Sequence, residues 1–183
     1  MKRTDTLRIM SLFLSICLSS GCCSMSSVPP ARAGASIIQE LPNAEYPIDV
    51  ARTGKAQLKN GVFEETGVPG SATKTVVSIG KEHATGDLNG DGAQDAAVTL
   101  VADPGGSGTF IYLAAVINRD GAAEPIAFAF LGDRIIVKSL AIDSGKIHVS
   151  LLTRKPDEPM AAKPTLEVRR KYTLQGDNLV EIQ

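Results

Sequence analysis

Three observations predict a mainly β fold, a single antiparallel β domain built as a sandwich or roll with at most one or two short helices. Short runs of β-branched and aliphatic residues recur at intervals of about ten residues along most of the chain. Asn-Gly, Asp-Gly and Ser-Gly pairs separate several of these runs, and such pairs tolerate the positive φ angles of tight hairpins. Beyond the first two dozen residues no segment sustains a helical apolar period. An α+β arrangement is the alternative, since residues 44–53 and 122–130 each admit a short helix.

The elements follow in order. Runs 55–58 and 62–65 flank Lys59-Asn60-Gly61 and read as a hairpin. Residues 73–79 form the next strand, ending at Gly80. A strand over 96–101 follows the acidic segment 87–95, and 109–118 is apolar on both faces, which places it centrally in a sheet. Arg119-Asp120-Gly121 turns that strand into 122–130. Runs 135–142 and 146–153 pair around Asp143-Ser144-Gly145, and 166–174 and 179–182 pair around Gln175-Gly176-Asp177-Asn178.

The 183-residue chain divides into three parts. Residues 1–23 read as an export signal, with Lys2, Arg3 and Arg8 ahead of an apolar stretch over 9–18 that is too short to span a bilayer. Residues 24–41, rich in Ser, Pro, Ala and Gly, read as a flexible tether, and 42–183 as one β-rich domain. At the end of the signal, Leu18-Ser-Ser-Gly-Cys22 resembles the lipobox of bacterial exported lipoproteins, with Ser19 where that pattern usually has Leu. The resemblance implies lipidation of Cys22, a membrane partner held through the N-terminal lipid, and a place in the periplasm or at the outer membrane. Ordinary cleavage near Cys22 to Ser24, or after Ala31-Arg32-Ala33, is the other reading.

Composition excludes several classes. The formal charge is −1, and removing a leader with three cations and one anion leaves −3, so no basic field is available for nucleic acid. Aromatic residues are 4% with no Trp, which argues against a base-stacking platform. Cys17, Cys22 and Cys23 all precede the domain, so its fold contains no internal disulfide and no thiolate metal site.

The most informative segment is Asp87-Leu-Asn-Gly-Asp-Gly-Ala-Gln-Asp95. Asp87, Asn89, Asp91 and Asp95 occupy positions 1, 3, 5 and 9 of a calcium loop, and Gly92 occupies position 6, where the backbone turns sharply. Over these nine residues the chain resembles the calcium loops of FG-GAP repeats and dockerin modules. The resemblance implies Asp87, Asn89, Asp91 and Asp95 as side-chain ligands, Ala93 as a ligand through its carbonyl, and Ca2+ as the ion. Position 12 is Val98 in place of a bidentate Glu, and it lies in a strand, so the loop is not an EF-hand. It occurs once, which leaves no propeller or solenoid of such units. Without an ion the same residues form an Asx-rich turn whose side chains serve their own backbone.

Other candidates are weaker. Asp103-Pro-Gly-Gly-Ser-Gly108 lacks the Lys-Ser/Thr ending of a phosphate loop and reads as a flexible connection, at the far end of one strand from the acidic loop. His83 and His148 lack a second ligand at metal spacing. Arg134, Arg154, Arg169, Arg170 and Lys171 form either a basic patch or a solvated face. The three prolines between Pro156 and Pro164 mark an extended surface loop. The sequence therefore points to an exported, lipid-anchored calcium-binding β module with a structural or binding role in the cell envelope, its partner protein or polymer unspecified. A secreted hydrolase acting on an envelope or extracellular polymer is the alternative, distinguished by a concave pocket with a titrating carboxyl or His.

Overall fold

Hairpin chemistry and two-faced apolar strands build most of the molecule. In the computed structural model, which describes residues 36–67 and 73–183, the chain is mainly β and its sheets are antiparallel. The segment 1–23 read as an export signal, with Cys22 and the other two cysteines, lies outside the described residues.

The central layer is a five-stranded sheet in the order β3 (Val62–Thr66), β4 (Lys74–Gly86), β5 (Asp95–Asp103), β6 (Phe110–Arg119) and β7 (Ala122–Asp133). Because side chains alternate across a strand, β5 and β6 feed two separate cores. Ala96, Val98, Leu100, Tyr112, Ala114 and Val116 face one side, packing with Tyr46, Ile48 and Leu58. Ala97, Leu113, Ala115 and Ile117 face the other, packing with Ile147, Val149, Leu151 and Tyr172. Burial on both faces explains why these two strands read as continuous apolar runs.

A small cover closes the first core. It consists of α1 (Ile37–Glu40), a 3₁₀ turn over Leu41–Asn43, and a two-stranded sheet of β1 (Glu45–Pro47) and β2 (Lys55–Gln57). Ile37 and Leu41, one helical turn apart, are both buried, so packing begins inside the segment whose composition suggests a tether. The helix expected within 44–53 is absent; that stretch is β1 and the turn after it, and the helix lies earlier. Tyr46 is fully buried and its hydroxyl donates to the Leu41 carbonyl at 2.9 Å.

The second core is closed by a four-stranded sheet in the order β11 (Asn178–Ile182), β10 (Leu166–Gln175), β9 (Lys146–Thr153), β8 (Ile136–Asp143). The two larger sheets thus form the expected sandwich, with β8 beside β4 and β11 beside β7.

Two details differ from the sequence expectation. Asn60 and Gly61 do turn the chain with φ of 52° and 85°, and Lys59 bridges Val62. The runs on either side nevertheless join different sheets, β2 with β1 and β3 with β4. Turn chemistry fixed the bend, while burial of Ala56 and Leu58 in the first core decided the partners. Likewise β4 passes through Gly80 and continues to Gly86, with a bulge between Ile79 and His83. A Cβ at Gly80 would lie 2.0 Å from Thr99 Oγ1, so only glycine lets Thr99 reach across and donate to the Glu82 carbonyl at 3.1 Å.

Burial raises the pKa of Tyr46 well above the usual phenol value, and burial followed by the Asp49 carboxylate does the same for Tyr112. The unfolded chain therefore releases these protons first, at a pH of about 10, and stability falls as pH rises beyond that point. The urea midpoint is expected to hold between pH 7 and 9, to drop above about pH 10, and to drop less steeply in Tyr46→Phe.

Candidate functional site

The acidic loop, residues 87–94, is the end of the β4–β5 hairpin, which closes at the pair Gly86–Asp95. Its shape comes from short side chains bonding to their own backbone. Asp87 accepts the N–H of Gly90 through Oδ1 at 2.6 Å and that of Gly92 through Oδ2 at 3.0 Å. Asn89 Oδ1 accepts from Asp91 N at 3.0 Å, and Asp91 Oδ1 accepts from Ala93 N at 2.7 Å. The Asn89 amide donates to Asp91 Oδ2 at 2.7 Å. Gly90 and Gly92 stand at φ of 82° and 83°, which is why glycine is needed there. The Ala93 N–H, and next the Asn89 amide, hold the Asp91 carboxyl below the usual range and keep it ionised.

Asp95 has a different environment. It is fully buried, and its two oxygens accept backbone N–H groups from opposite sides: Leu88 at 2.8 Å and Asn118 at 2.9 Å. The carboxylate ties the loop to the end of β6, where the Asn118 side chain completes the junction. Its amide donates to the Gln94 carbonyl at 3.2 Å and its oxygen accepts the Gly121 N–H at 2.8 Å. Leu88, buried in the second core, anchors the loop on its other side.

The donor chemistry of Asp87, Asn89 and Asp91 fits a hard cation: they bring oxygens to one turn, Asn89 and Asp91 exposed and Asp87 half-buried, and each carboxylate oxygen keeps a free lone pair after accepting one N–H. Ala93, half-buried in the same turn, carries the backbone carbonyl expected as a ligand. Asp95, the ninth-position candidate, likewise accepts one N–H on each oxygen and differs in being fully buried at the hairpin junction. Among the described residues no three His, Cys, Asp or Glu side chains converge as a metal cluster.

Two contributors were not read from the sequence. Asn118 lies 23 positions from Asp95 and is brought to it by the β5–β6 register; the turn-forming sequence after it was the one available signal. Asp143, the last residue of β8, lines a hollow of about 430 Å³ with Asp87 and Gly90, beside the loop that Leu88 anchors in the second core.

The remaining candidates separate. The Gly-rich connection lies at the opposite end of β5, where Asp103 Oδ1 caps the Gly105 N–H at 2.8 Å. Ser107 is in that connection, whereas His148 is on the outer face of the four-stranded sheet, so the two do not form a catalytic pair. His83 is exposed on β4, its Nδ1 3.3 Å from the Lys81 carbonyl. Of the five cations, Arg134, Arg154 and Arg170 cap the carbonyls of Met160, Asp133 and Leu131 at 3.3, 2.9 and 3.0 Å. They act as fasteners between strand ends and the proline-rich loop. Arg169 and Lys171 alternate with Arg170 and face outward.

Compared with known families, curated proteins and solved structures, the chain matches none.

Proposed function

We propose that the chain is an exported, lipid-anchored module of the bacterial cell envelope whose β4–β5 loop binds calcium, and whose role there is structural or binding. The observation that carries this reading is the arrangement of Asp87, Asn89 and Asp91: oxygens preset in one turn by the loop's own N–H groups. Calcium supplies charge neutralisation between carboxylates that otherwise repel, with the Ala93 carbonyl and water completing the shell. With Val98 at position 12 in place of a bidentate Glu, the loop is short of one carboxylate, which puts the expected affinity in the ~10⁻⁴ to 10⁻³ M range of extracellular modules. Lipidation at Cys22 would hold the module where calcium at that level is available.

Calorimetric titration of the protein with calcium tests the reading. Saturable binding with a Kd of about 1 mM is expected, lost in the double variant D87N/D91N while far-ultraviolet circular dichroism stays unchanged. Absence of saturable binding up to about 10 mM, or equal binding by the double variant, contradicts it.

A further inference from the structure

The four-stranded sheet presents a second polar surface, built from residues other than those of the acidic loop. On its outer face Arg169 and Lys171 of β10 stand opposite Ser150 and His148 of β9, in the pairs Arg169–Ser150 and Lys171–His148. Ser139 of β8 extends the first row beyond Ser150. Side chains directly opposite one another are about 5 Å apart, and same-face neighbours along a strand about 7 Å apart. The four groups thus mark the corners of a rectangle sized for one tetrahedral oxyanion, within a hollow of about 890 Å³ that they help to line.

These cations are available. Lys171 makes no ion pair among the described residues, and Arg169, its side chain 84% exposed, makes one long contact to Glu167 at 3.6 Å. Ser150 donates to the same Glu167 oxygen at 3.5 Å. Glu167 thus competes for Arg169 and Ser150 at one end of the rectangle, weakly and from its own strand, while Glu181 is the carboxylate that lines the hollow itself. We propose that this face binds a phosphoryl group, which displaces Glu167 and gathers Arg169, Lys171, His148 and Ser150 around its oxygens. A phosphoryl group is favoured over a carboxylate because four donors of different kinds call for more than two acceptor oxygens, and the Arg fork takes two of them at once.

The shared chemistry has two sources, a soluble phosphate compound or a phospholipid headgroup, and two probes distinguish them. The full chain is titrated with inorganic phosphate by calorimetry, and is sedimented with phosphatidylcholine vesicles containing phosphatidylglycerol, with and without phosphate. Saturable millimolar phosphate binding is expected, weakened about tenfold or more in R169Q/K171Q and tightened severalfold in Glu167→Gln, which removes the competing carboxylate. Vesicle binding that phosphate displaces and R169Q/K171Q loses assigns the headgroup; phosphate binding without such a vesicle component assigns a soluble ligand. No saturable binding in either arm, or binding indifferent to R169Q/K171Q, overturns the proposal. Calcium titration of R169Q/K171Q stays as in the wild type, so this outcome is separate from that of the loop.

Discussion

Asp95→Ala is expected to destabilise the domain by about 4 kcal/mol, because one substitution removes both acceptors for two backbone N–H groups. A hydrogen bond to a charged group contributes about 1.5–3 kcal/mol net, and a donor left buried without a partner adds its own desolvation penalty. Asp95 is fully buried, so water has no easy route to replace the lost oxygens. Asp95→Asn keeps one acceptor and turns an amide NH2 toward the other N–H, so its expected loss is about half as large. Urea unfolding monitored by circular dichroism checks both variants, with the midpoint lowered and the slope unchanged. A loss below about 1 kcal/mol for Asp95→Ala would mean that the hairpin junction is held by something else.

The second large effect concerns the central sheet. Leu100→Ala and Leu113→Ala are each expected to lose about 3 kcal/mol, within the 2–5 range for a buried Leu truncated in a core. Leu100 and Leu113 are on adjacent strands, are fully buried, and belong to different cores on opposite faces. A sheet with one solvated face would show one costly substitution and one close to neutral. Comparable losses, measured by equilibrium unfolding, are the signature of a middle layer covered on both sides.

This two-sided layer was legible where the signal was local. Residues 109–118 are apolar on both faces, and the structure makes them a central strand buried on both faces. The turns at Asp120-Gly121, Ser144-Gly145 and Gly176 also fall where the sequence puts them, since positive φ leaves its mark in residue type. Partner choice was less legible. Asn60-Gly61 makes its turn, yet β2 and β3 go to different sheets because buried Ala56 and Leu58 belong to the cover, and no short-range pattern encodes that. The continuation of β4 past Gly80 depends on the Thr99 hydroxyl in the next strand.

The acidic loop divides in the same way. Its turn chemistry, Gly92 included, is local and was readable at nine residues' range. Spacing marks Asp95 as a ninth-position ligand but does not separate its full burial, with Oδ1 on the Asn118 N–H, from the exposed setting of Asp91. That difference comes from the β5–β6 register, a long-range property. Within the loop, Asp95 holds the hairpin to the sheet, and Asp87, Asn89 and Asp91 shape the turn. In the basic set, likewise, alternation along β10 separates Arg170, which caps Leu131, from Arg169 and Lys171 on the outer face.

Thermal unfolding in 10 mM calcium against excess chelator tests the account most directly, since it reads ion binding and its structural consequence together. With a Kd of about 1 mM, binding to the folded state alone contributes about 1.4 kcal/mol at this concentration. For a domain of about 150 residues that raises the midpoint by about 3–6 °C. The same comparison in D87N/D91N is expected to show no shift. Identical midpoints for the wild-type protein with calcium and with chelator would contradict the assignment of the β4–β5 loop as a calcium site.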